Sequence, residues 1–174
     1  SNILILYNNM LQSLFSSQIL TLGLVIVVLF SMFLILFKSL KVSVIALLPN
    51  LLSIGSVLGI MGIFSIPLDM MTITIAAISM GIAVDNTIHY IFRHKTEFHN
   101  KKNYETAMLY THTSIGYALY YTTLTIIIGF SILVFSNFIP SIYFGLLTSL
   151  AMFIALFATL TIVPKLLTTF RVYS

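Results

Sequence analysis

Met80-Gly81-Ile82-Ala83-Val84-Asp85-Asn86-Thr87-Ile88-His89-Tyr90 sets a carboxylate, a carboxamide and an imidazole inside an otherwise apolar run. That run extends over about residues 69–92, long enough to cross roughly 30 Å of hydrocarbon. A charged group in such a segment costs on the order of 2.5–3.5 kcal/mol on insertion scales. Asp85 is therefore a candidate functional residue. The plainer alternative is a hydrogen-bonded tie between helices. At a rise of about 1.5 Å per residue, Asp85 lies about 12 Å from the end of the span that Arg93 marks. Gly81, Asp85 and His89 recur at i, i+4 and i+8 and share one helical face. Gly81 leaves room for a neighbouring helix or water, and His89 sits where it can pass a proton or hydrogen-bond the carboxylate. Asn86 reads as a supporting donor.

Composition puts this helix among others like it. Of 174 residues, 59% are hydrophobic and only 7% charged, against about 25% charged in a soluble domain. The chain reads as an all-α, polytopic membrane bundle with five spans, at about 19–37, 42–64, 69–92, 114–135 and 142–166. Residues 1–17 read as the end of an extracytoplasmic domain or an interfacial helix, with a continuous helix into the first span as the alternative. Residues 18–168 form the bundle, and 93–113 form a polar loop carrying a short surface helix. A turn at 65–68 leads into the third span, where Asp69 is placed as the N-cap.

The net charge of +4 belongs to topology, and no nucleic-acid-binding motif is present. Lys38 and Lys41 follow the first span. Arg93, Lys95, Lys101 and Lys102 follow the third, and Lys165 and Arg171 close the fifth. The positive-inside rule makes that side cytoplasmic, with the N-terminus outside and the C-terminus inside. The chain starts at Ser1 with no basic stretch before its first span, so we expect a piece of a longer protein.

Cysteine is absent, which removes disulfide and thiolate chemistry. His94, Glu97 and His99 do not form a recognised metal pattern. No phosphate loop, nucleophile elbow or HExxH occurs. We expect neither an enzyme nor a cofactor.

Two further features concern packing and partners. Gly55 and Gly59 form a GxxxG, which permits close helix approach, and Gly81 is placed with them as a packing position. The fourth span carries Tyr117, Tyr120, Tyr121, Thr122, Thr123 and Thr125. Tyr117 and Tyr121 are spaced to face Asp85, or to anchor at the interface. Thr122 and Thr125 are the favoured hydroxyl partners. The proposed relay set is thus Asp85, Asn86, His89, Thr122 and Thr125.

These residues also resemble a known family. Leu47-Leu48-Pro49-Asn50-Leu51-Leu52, Gly62-Ile63-Phe64-Ser65-Ile66-Pro67-Leu68-Asp69, and the run from Gly81 to His89 are similar to the resistance–nodulation–division (RND) transporter superfamily. More narrowly they resemble its MMPL branch of lipid and hydrophobe exporters, related to sterol-sensing domains. Thr122-Thr123-Leu124-Thr125, Gly129-Phe130 and Phe144-Gly145 fit the same order. The resemblance implies two homologous halves, each of six spans with a large extracytoplasmic domain, of which this chain matches the last five spans of the second half. It also implies a proton-relay role for Asp85, with a hydroxyl partner among residues 122–125. Many relatives carry a second acidic residue or a Tyr where this chain has Asn86.

The expected function is the C-terminal membrane portion of a proton-coupled exporter of hydrophobic or lipid-like molecules in a bacterial inner membrane. Its expected partners are membrane lipids, the substrate, and the missing N-terminal half with its extracytoplasmic domains, with no nucleic acid. Homo-oligomerisation is compatible with this arrangement. The alternatives are a non-transporting, sterol-sensing-like lipid-binding or assembly module, and an inactive fragment.

Overall fold

Apolar runs in a membrane become helices because every backbone N–H and C=O must be paired within its own segment. The structure, a computed structural model, describes residues 2–66 and 70–173, with the backbone alone for 70–73. Asp69, expected as an N-cap, and part of the 65–68 turn lie outside the described residues. The chain is an integral membrane protein of helices: α1 (Asn2–Phe37), α2 (Leu40–Ile63), α3 (Met70–Lys101), α4 (Tyr104–Thr111), α5 (Tyr117–Ser131) and α6 (Ile139–Thr169). A π-helical turn at His112–Gly116 joins α4 to α5, and a 3-10 turn at Ile132–Phe135 extends α5. Among the described residues there are five helical stretches long and apolar enough to cross a membrane, Tyr104–Phe135 being one continuous rod.

Two segments expected as separate pieces are continuous helix. Residues 2–17 have no break before the first span, so α1 runs unbroken from Asn2, as in the continuous-helix alternative. The polar stretch after Phe92 does not open into a long loop either. Helix α3 carries it to Lys101, and Asn103 starts α4 by accepting from the Glu105 and Thr106 N–H groups. An Asn at that position satisfies donors that have no intrahelical partner.

Helix α6 is the central element, packed against α2, α3 and α5. Its buried residues include Gly145, Ala151, Ala155 and Ala158. Small side chains let the neighbouring backbones come close where the hydrophobic effect supplies no drive between helices. A Cβ at Gly145 would stand 2.5 Å from the Phe130 carbonyl oxygen and 2.9 Å from Leu133 Cβ. Gly145 is therefore the position at which α5 and α6 require glycine. By contrast, a Cβ at Gly55, Gly59 or Gly81 meets nothing within 4 Å. Within this bundle those three are not close-approach positions: α3 and α2 turn those faces outward.

Helix α1 packs against α2 and also meets α3, where the Phe37 and Phe92 rings touch and Leu22 and Val25 face Ala76 and Met80 across a pocket, while Leu20, Leu24, Val27, Val28 and Ile35 are exposed. At the end where α1 gives way to α2, the C-terminal segment folds back. The Tyr173 N–H donates to the Tyr104 hydroxyl oxygen at 2.9 Å, and Tyr173 stacks with Tyr104 and lies beside His94 and Phe98. Burial, with Tyr104 adding, holds the Tyr173 phenol above its usual range.

Candidate functional site

Asp85 and Asn86 are adjacent on α3 and have opposite surroundings. Asn86 is buried, and its Nδ2 donates to Thr123 Oγ1 on α5 at 3.2 Å. Thr87 is buried beside it, donating to the Ala83 carbonyl and lying 3.4 Å from Thr159 Oγ1 on α6. These contacts form the polar seam by which α3 is tied to α5 and α6.

Asp85 points the other way. Its side chain is 71% exposed within this bundle, and its Oδ1 lies 3.4 Å from Nε2 of His89, itself 59% exposed. Gly81 is also exposed. The shared face read from the spacing is present, and no described residue of the other helices covers it. Asp85 and His89 thus form an i, i+4 pair on the open face of α3.

The α5 hydroxyls divide in the same way. Thr122 donates to the Ala118 carbonyl and Thr125 to the Tyr121 carbonyl, and both are exposed. Neither reaches α3. The hydroxyl that does is Thr123, at 0% exposure. A step of one residue turns a helix by about 100°, so Thr122 and Thr123 cannot both face α3. Tyr117 and Tyr121 are also exposed, and Tyr120 and Tyr121 contact each other edge-on.

A second polar junction went unread in the sequence. His112 lies in the π-helical turn, and its Nε2 is 2.9 Å from the Leu160 carbonyl of α6. Pro164 lies four residues after Leu160 and has no N–H to give that carbonyl. With its proton on Nε2, His112 donates to the freed oxygen. Its Nδ1 lies 3.2 Å from the Tyr90 hydroxyl of α3 and 2.9 Å from the Met108 carbonyl. One imidazole thus joins α3, the π-helical turn and α6 one helical turn beyond Asn86. The available signal was Pro164 inside an apolar span together with an unassigned histidine.

Among the described residues no group of three or more His, Asp or Glu side chains is arranged to hold a metal ion.

Comparison with known proteins places this geometry in context. The MMPL family model matches residues 5–171. The chain is 32% identical over 129 residues to the membrane protein MJ1562 of Methanocaldococcus jannaschii, a match covering 72% of this chain and 32% of that protein. The chain thus spans about a third of that relative's length. No solved structure matches.

Proposed function

Because this chain belongs to the MMPL family, we propose that it forms the C-terminal membrane portion of a proton-coupled exporter of hydrophobic or lipid-like molecules. The observation that carries this reading is the uncovered Asp85 face. A carboxylate inside a membrane span is costly against lipid, and no described residue of this bundle shelters it. The element that covers it in the whole protein is then the N-terminal half, whose spans would close over Gly81, Asp85 and His89. Asp85 takes up and releases the proton, and His89 passes it along the face toward the basic, cytoplasmic end.

The seam on the reverse side gives this titration a mechanical consequence. Asn86–Thr123 and Thr87–Thr159 hold α3 to α5 and α6. A change of charge on one face of α3 therefore moves these helices together. Thr122 and Thr125, on the exposed side of α5, belong to the relay only through groups contributed by the other half. The expected membrane is the bacterial inner membrane.

Replacing Asp85 by Asn in the complete protein tests the reading. Efflux of a hydrophobic dye from cells should be lost at unchanged expression, and efflux at the parental level would refute it. One observation favours a non-transporting, sterol-sensing-like module instead. Asn86 is locked as a structural tie and is a carboxamide, not an acid, which leaves Asp85 as the one carboxyl in the apolar part of α3, Glu97 lying in its polar last turns. That module predicts lipid photo-crosslinking to the bundle with no dependence on a proton gradient.

A further inference from the structure

Between the α1–α2 turn and the last turns of α3 lies a cleft of about 320 Å³. Lys38, Ser39, Lys95 and His99 line it, over an apolar wall that includes Phe37 and Val42. Lys95 and His99 stand one turn apart on a single face of α3, and the fold brings Lys38 to them from the other side. Among the described residues no carboxylate lines the cleft. Glu97, on the same stretch of α3, is nearly buried and engaged by Arg93 at 2.8 Å. Among the described residues neither lysine has a carboxylate partner. Tyr173, at the cleft's edge, keeps its phenol neutral for the reason given above.

Two ammonium groups converging on one space repel unless an anion lies between them. The position of the cleft selects the kind of anion. Phe37 closes the apolar run of α1 and Val42 opens that of α2, so the cleft lies where hydrocarbon gives way to headgroups. Ser39 makes no side-chain capping bond, leaving its hydroxyl free to donate. Helix α2 begins at the next residue, and the positive end of its dipole adds to the field.

We propose that this cleft binds the phosphate of an anionic phospholipid headgroup in the leaflet at the basic end of the bundle. Lys38 and Lys95 supply the charge, Ser39 and His99 supply hydrogen bonds, and Phe37 and Val42 meet the start of the acyl chains. Basic pockets between spans are suited to such headgroups, each lysine near the surface contributing about a fivefold factor. The site needs only the membrane placement of the bundle and is independent of Asp85.

The test is a titration of the purified, detergent-solubilised protein with dioctanoyl phosphatidylglycerol, read as a thermal-stability shift. Dioctanoyl phosphatidylcholine and inorganic phosphate are run alongside. Lys38→Gly suits the left-handed backbone at that position (φ 50) while removing the ammonium. Paired with Lys95→Gln, it should weaken phosphatidylglycerol binding roughly thirty-fold. Lys165→Gln, exposed on α6 and outside the cleft, should leave binding unchanged. Equal binding of the two lipids would overturn the proposal, as would wild-type affinity in the double variant. An equal loss in Lys165→Gln would reduce the effect to general surface charge and overturn the cleft assignment. Full competition by inorganic phosphate at the lipid's own concentration would overturn the lipid assignment in favour of a free anion. Any of these failures would leave the transport reading standing.

Discussion

Asp85 and Asn86 face opposite sides of α3 because consecutive helical residues are turned by about 100°, and this divides their roles. Asn86 and Thr123 form a buried interhelical bond. Such bonds within membranes are worth about 0.6 kcal/mol on average. Thr123→Val should lower stability in micelles by about that amount, measured by denaturant unfolding, while Thr122→Val and Thr125→Val should produce no measurable change. His94 is a different case. It is fully buried among rings, and among the described residues neither ring nitrogen has a hydrogen-bond partner. An unpaired buried polar group costs about 1–3 kcal/mol, so His94→Phe should match or exceed the parental melting temperature. A clear fall would mean that the imidazole has a partner on which the fold depends. The presence of a polar face around Asp85 was legible from the i, i+4, i+8 spacing. Its neighbours were not. Helices that are apolar all round carry no periodic signal to fix their rotation, so Thr122, Thr123 and Thr125 could not be ranked by sequence.

At the scale of elements, two devices hold α6 in the middle of the bundle. The first is Gly145, against which the Phe130 carbonyl oxygen and Leu133 pack too closely for a Cβ. Gly145→Ala should cost about 1–3 kcal/mol by overpacking, seen as a lower melting temperature, whereas Gly55→Ala and Gly59→Ala should leave the melting temperature of this bundle unchanged. The second is the His112–Leu160 bond at the gap that Pro164 leaves in α6. His112→Ala should destabilise by about 1–3 kcal/mol through the orphaned carbonyl. Adding Pro164→Ala restores an N–H four residues after Leu160 and should recover much of that loss. If the two effects simply add, the proline does not set the need for the histidine. Five apolar runs and a short helix after the polar stretch follow from composition and length. The fusion of α4 with α5 through a π-helical turn does not, because the polar residues there suit either a surface helix or a longer rod.

Over the whole molecule, the bundle has a closed side and an open one. The closed side is the small-residue interior of α6 with its hydroxyl and amide ties. The open side presents Gly81, Asp85 and His89 of α3; Thr122 and Thr125 of α5 are also exposed. Gly81→Ala separates the two levels: its Cβ meets open space here, so stability of this bundle should hold while export by the complete protein falls. The most direct measurement is movement of a fluorescent lipid analogue by the complete protein in liposomes under an imposed pH gradient. The account predicts transport that stops when the gradient is dissipated and that falls to the protein-free baseline in Asp85→Asn. Parental transport by Asp85→Asn, or transport indifferent to the gradient, would contradict it.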